Sequence, residues 1–219
     1  MTFYPSPLPL HDLIAIAVHL FIDCAGLVGN AALFFAILFR SPHSIRSYSV
    51  LLISTVAIDF LSCLSSSLVI MRIIPAGVAL GYVYLGPCVY VSDMFCHVLY
   101  STTVHSFPQS LFLLASSFGY RLYVLRRHAP STRKMIAYCT VLYIPSLSVL
   151  LAYPFLTDPV AAVRVALKEA RPQYDLDDYR VMGHIDVLHN YALIYIVILI
   201  TIPTAPVLTV VIVLRKMVR

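Results

Sequence analysis

Charge is scarce in this chain: Asp, Glu, Lys and Arg together make up only 11% of 219 residues. Soluble globular domains carry roughly a quarter, so a soluble fold is excluded. Glycine is scarce too, with seven in all, which leaves little room for a phosphate-cradling Gly-rich loop. No H-E-x-x-H and no G-x-S-x-G occurs, which removes the zinc-protease and hydrolase signatures. Asp59 and Asp93, weighed as an intramembrane acid pair, lie at different depths. An enzyme is not expected, nor is a cofactor.

The five cysteines, Cys24, Cys63, Cys88, Cys96 and Cys139, include no C-x-x-C pair, so zinc-like spacing is absent. No N-x-S/T acceptor is present, since Asn30 and Asn190 are both followed by the wrong residues. Residues 1 to 11 lack Lys and Arg, so no secretory signal is expected and the first span acts as its own insertion signal. The net charge of +5 comes without a basic stripe interleaved with aromatics, so no nucleic-acid partner is expected.

Hydrophobic residues are abundant, at 60% with a mean hydropathy of +0.88. A lipid-spanning helix takes about 20 mainly apolar residues, and five segments meet that length: 13–39, 50–74, 88–122, 135–155 and 187–214. The fold expected is an all-α transmembrane bundle forming a single domain over 1–219. Ten of the fifteen Lys and Arg fall between the first and second spans, at the foot of the third or between it and the fourth, or after the fifth. Positive charge is retained on the cytoplasmic side, so the N-terminus is expected outside and the C-terminus inside. In the long outer connection, VAAVRVALKEA reads as a short amphipathic helix on the membrane, and RPQYDLDDYR reads as too polar and acidic to bury. Pro108, Pro145, Pro154, Pro203 and Pro206 mark expected kinks.

The third span carries the densest chemistry. Asp93, His97, Ser101 and His105 recur every fourth residue and form one stripe on a helix. Such groups are costly in hydrocarbon and belong inside a bundle or against a wet cavity. Either they line a ligand cavity or they hydrogen-bond within the bundle. Three ligands strung along one helix cannot close a zinc tetrahedron alone, so no metal is expected. Cys88 and Cys96, if both lie on one straight helix, stand ~12 Å apart, beyond the ~7 Å that a disulfide allows. Asp59 lies mid-span, at a cost of at least ~2.5 kcal/mol for a charge, and needs a partner or a proton. At the cytoplasmic end stand Tyr120, Arg121, Arg126 and Arg127, which topology alone also explains.

Gly29-Asn30, SPHSIRSYSVLL, Asp59 within LLISTVAIDF, RIIPAG, GPCVY, SFGYRLYVL and YDLDDYRVMGH follow one another in an order that resembles the serpentine receptor class delta (Srd) chemoreceptors of nematodes. These are a branch of the Str-type seven-span G-protein-coupled receptors. The resemblance implies that Asn30 and Asp59 form the intramembrane polar pair between the first two helices. It implies that the Asp93–His105 stripe faces a small-molecule ligand, and that Tyr120-Arg121, with Arg126 and Arg127, faces a heterotrimeric G protein. It also implies sixth and seventh helices, which are expected to be missing after Arg219. Cys88 resembles the third-helix Cys that many receptors tie to the second outer loop, but 157–186 holds no Cys.

The function expected is a chemosensory receptor, whole or shortened, in the plasma membrane of sensory-neuron cilia, with the lipid bilayer and a receptor oligomer among its partners. The alternatives are a small oligomeric transporter or channel subunit whose stripe lines a pathway, and a non-signalling shortened receptor. The transporter reading calls for matching half-repeats, and none is visible.

Overall fold

The computed structural model describes residues 9–42, 46–172 and 176–218. Helix α1 spans Leu10–Arg40, α2 Arg46–Val69, α3 Asp93–Arg126, α4 Thr132–Ala152, α5 Val160–Ala170 and α6 Tyr191–Val218. Strands β1 (Met71–Ala76) and β2 (Ala79–Tyr84) separate α2 from α3, and β3 (Arg180–His184) precedes α6. Among the described residues, four helical segments are long and apolar enough to cross a membrane: Leu10–Arg40, Arg46–Val69, Thr132–Phe155 and Tyr191–Thr209. These coincide with the first, second, fourth and fifth expected spans. The third expected span, 88–122, is not among them: its helix, α3, is the most polar of the long helices and packs against α2, α4 and α6. At 34 residues it is about 50 Å long, and it continues through Pro108.

Several boundaries differ from expectation. The expected second span reaches Ile74, but α2 stops at Val69 and the chain turns at Ile70, whose φ is +24°. Residues 71–76 become a strand because the two-residue turn Gly77-Val78, with Gly77 at φ +64°, folds them back onto 79–84. Glycine takes that backbone conformation without the penalty of a Cβ. The third helix begins at Asp93, not at Cys88, because Ser92 caps it by accepting a hydrogen bond from Phe95 N–H at 3.0 Å. Cys88 sits ahead of that start in a 3-10 turn, Pro87–Tyr90. The straight-helix premise therefore fails, and Cys88 and Cys96 are joined by a disulfide with their Cα atoms 5.1 Å apart.

The α2–α3 and α4–α6 connections form a lid where loops were expected. Strands β1, β2 and β3 make one antiparallel sheet in that order, with Gly81 directly opposite Gly183. A side chain at Gly81 would run into Leu167 of α5, so this bare patch is what lets the helix seat on the sheet. Helix α5 matches VAAVRVALKEA, but its apolar face is turned onto the sheet: Val163 and Leu167 are fully buried with Ile74, Val83 and Val181. The acidic stretch that follows is also partly buried, with Leu176 and Tyr179 in the same cluster. Arg164 makes this possible by donating to the carbonyls of Leu176 and Tyr179, which would otherwise be buried acceptors without donors.

The lid is tied to α1 and to the top of α2. Asp12 of α1, fully buried, accepts from Arg72 of β1 and, at 2.6 Å, from the Tyr179 hydroxyl. At the top of α2, Leu85 N–H donates to Ile70 O at 2.7 Å and Gly86 N–H to Val69 O at 3.1 Å. A Cβ on Gly86 would fall 2.2 Å from Leu68 O, so the chain passes this close only because there is none.

Candidate functional site

Beneath the lid, β2 and β3 point aromatic and imidazole side chains onto the nearer ends of α3 and α4. The Tyr84 hydroxyl lies 2.8 Å from His97 Nδ1, and the Tyr82 hydroxyl lies 3.0 Å from that of Tyr153. Tyr153 in turn reaches His184 Nε2 at 3.2 Å, and His184 Nδ1 meets Asn190 Nδ2 at 2.9 Å. His97 stacks on Tyr153 with ring centroids 5.3 Å apart, and Tyr100 closes the cluster against Tyr82 at 4.7 Å. Burial pushes the Tyr82 and Tyr84 phenols above their ordinary range, so both remain neutral donors. Burial also holds His184 below its ordinary value, against the opposing pull of Asp158, so its ring is neutral.

Of the stripe read from the sequence, His97, Ser101 and His105 are fully buried. Ser101 donates to Leu150 O, and His105 Nδ1 lies 3.3 Å from Thr102 O. His97 Nε2 and His105 Nε2 are buried with no hydrogen-bond partner among the described residues. Asp93 sits apart from the other three: it accepts from Arg180 of β3 at 2.7 Å and joins the lid to the head of α3. A hollow of about 250 Å³ between α4 and α6 reaches the cluster through Tyr153 and is also lined by Ser148, Tyr195 and Ile196. Among the described residues no group of three metal-ligating side chains converges.

Asn30 and Asp59 bond separately. Asn30 Nδ2 donates to Gly26 O in its own helix, whereas Asp59 accepts from Ser110 of α3 at 2.8 Å. One residue unremarked in the sequence shares the α1–α2 seam: Asp23, buried, with Oδ2 lacking a partner among the described residues. An acid inside an apolar span was signal enough to find it. The partners of His97 carried a weaker signal, a chain rich in tyrosine with 15 of them, because the sheet that gathers them was not foreseen.

At the opposite end, the Tyr120 hydroxyl lies 2.6 Å from Ser47 Oγ, and its ring stacks on Tyr48 at 5.0 Å. Arg121 donates to the Tyr48 hydroxyl through Nη2 at 2.9 Å, and that hydroxyl lies 2.7 Å from Ser117 Oγ. Tyr120-Arg121 is therefore clasped by the first turn of α2, while Arg126 and Arg127 extend from the end of α3 and are exposed. His43, Ser44 and Ile45 of the SPHSIRSYSVLL stretch lie outside the described residues.

With this geometry in view, comparison with known proteins is decisive. The family described as serpentine type 7TM GPCR chemoreceptor Srd matches residues 15–219. The chain belongs to the Srd family. Among its relatives, serpentine receptor class delta-19 of Caenorhabditis elegans is 35% identical over 191 residues, which cover 85% of this chain and 56% of the relative. Class delta-1 of the same organism is 34% identical over 177 residues, 81% of this chain and 48% of the relative. This Srd chain spans about half the length of the curated relatives it matches. No solved structure matches it significantly. The Srd family is one of multi-pass membrane chemoreceptors, not enzymes.

Proposed function

We propose that this Srd chain carries the first five helices of a chemosensory G-protein-coupled receptor, with its N-terminus outside and its basic end in the cytoplasm. The observation that carries the reading is the family match across 15–219. A small molecule binds among the outer halves of the helices, entering beside Tyr153 and Tyr195 and reaching the unpartnered imidazole nitrogen of His97. Support comes from the buried hydroxyl and imidazole groups gathered there and from the adjoining hollow. Pockets of this kind use an apolar wall with a few placed polar groups to fix orientation.

The signal passes to a heterotrimeric G protein at the foot of α3, where Tyr120-Arg121 is held by Ser47 and Tyr48. The receptor sits in the plasma membrane of sensory-neuron cilia. Full-length transcript sequencing, followed by expression of the encoded product in cells reporting G-protein activation, tests the reading. We expect a response to one or more volatile or soluble small molecules, weakened about tenfold or more by His97→Ala through loss of a buried polar contact. A product that reaches the cell surface yet responds to no ligand, or responds equally well with His97→Ala, would count against it.

A further inference from the structure

At the basic end of the bundle, a hollow of about 540 Å³ opens between α3, α4 and α6. Phe112, Gly119, Tyr123, Met135, Leu142 and Pro203 line it, and Lys134 stands among its lining residues. Tyr123 also lines a second hollow, with Val124, Arg126, Arg127 and His128. The apolar slot and the basic hollow thus adjoin at one shared residue, Tyr123. The positive charge is uncompensated: from Met94 to Thr157 the sequence contains no acid. Arg126, Arg127 and Lys134 have no ion-pair partner among the described residues. The first turn of α4 starts beside the slot at Thr132, and Ser131 gives it no side-chain cap, which leaves N–H groups of that positive helix end available to an anion.

We infer that this paired slot and pocket bind one anionic phospholipid, an acyl chain lying against Phe112, Leu142 and Pro203 and the headgroup phosphate held by Arg126, Arg127 and Lys134. Free phosphate or an acidic peptide would use only the basic half, and a neutral lipid only the apolar half. The slot lies between two helical segments long and apolar enough to cross a membrane, where acyl chains are the surrounding solvent. Binding itself needs no particular orientation. That the lipid comes from the cytoplasmic leaflet, where anionic lipids concentrate, rests on the orientation proposed above.

The test is native mass spectrometry of the purified chain with phosphatidylserine and phosphatidylcholine of identical acyl chains. Phosphatidylserine is expected to be retained about tenfold more strongly, the scale expected for a cluster of basic side chains. The combined Arg126→Gln, Arg127→Gln and Lys134→Gln variant should bring the two lipids level. Gly119→Leu, whose Cβ would meet nothing within 4 Å, should lower retention of both. Equal retention of the two lipids by the unaltered chain, or a preference that survives the charge variant, overturns the assignment. So does a preference that survives Gly119→Leu and is displaced by free inorganic phosphate, which would reduce the site to surface charge. An unchanged thermal melting midpoint in each variant reports that the fold is intact. Failure of the orientation reading, seen separately by glycosylation mapping, changes only the leaflet and leaves the binding result standing.

Discussion

Cys88 and Cys96 are bonded because the chain between them is a 3-10 turn and a helix start, not two turns of one helix. Spacing alone pointed the other way, since nothing in the residue count marks where α3 begins; the mark is Ser92 and its cap on Phe95. With Cys24, Cys63 and Cys139 free, alkylation of the denatured chain should label three thiols before reduction and five after. Cys96→Ser should lower stability by about 2 to 3 kcal/mol in the chain-entropy account of a short loop. His184 supplies a second expectation. Its ring is held below the ordinary value of 6.5, so the unfolded chain binds a proton that the folded lid refuses. Stability should therefore be flat above pH 6.5 and fall as the pH drops below it, by at most about 1.4 kcal/mol per unit from this group. His184→Gln should remove that part of the slope in thermal melts between pH 8 and 5, and identical slopes would refute the assignment.

Among the elements, the helices were legible and the sheet was not. Apolar runs of the right length announced α1, α2, α4 and α6, because lipid demands continuous hydrophobicity and helical pairing of every backbone group. The strands carried a weaker sign, MRIIPA and ALGYVY around Gly77-Val78, and their apolar residues merged with the end of the preceding span. Their partner β3 lies nearly a hundred residues downstream in an acidic stretch. Its pairing depends on Arg164 covering two carbonyls and on Arg72 answering Asp12, contacts that no local pattern reports. Among the described residues, Arg72→Gln leaves the buried Asp12 side chain with only the Tyr179 hydroxyl and exposed His11, and should cost about 3 to 5 kcal/mol. The double variant with Asp12→Asn should recover a good part of that. Hydrogen exchange at β1 and β3 measures both, and equal protection in the single variant would show that the pair does not hold the lid.

For the molecule as a whole, the distribution of charge ties architecture to membrane. Ten of the fifteen Lys and Arg fall around the α1–α2 turn, from the foot of α3 to the start of α4, or at the end of α6, and six of the ten acids fall in 158–186. The lack of a natural N-x-S/T site makes this easy to check: an acceptor placed near 171 should be glycosylated in microsomes, and one placed near 129 should not. The reverse pattern would invert the bundle. The stripe on α3 was visible as a row of polar residues, but a sequence row carries no information about what lies opposite. Half of the buried network comes from a lid assembled out of two distant segments. That lid also closes over α2 at Leu85 and Gly86, whose N–H groups complete the last turn of the helix. The lid and α2 are thus hydrogen-bonded into one unit. Ten residues below that junction, on the same helix, Asp59 accepts from Ser110 of α3, so a displacement of the sheet is expected to register in that hydrogen bond.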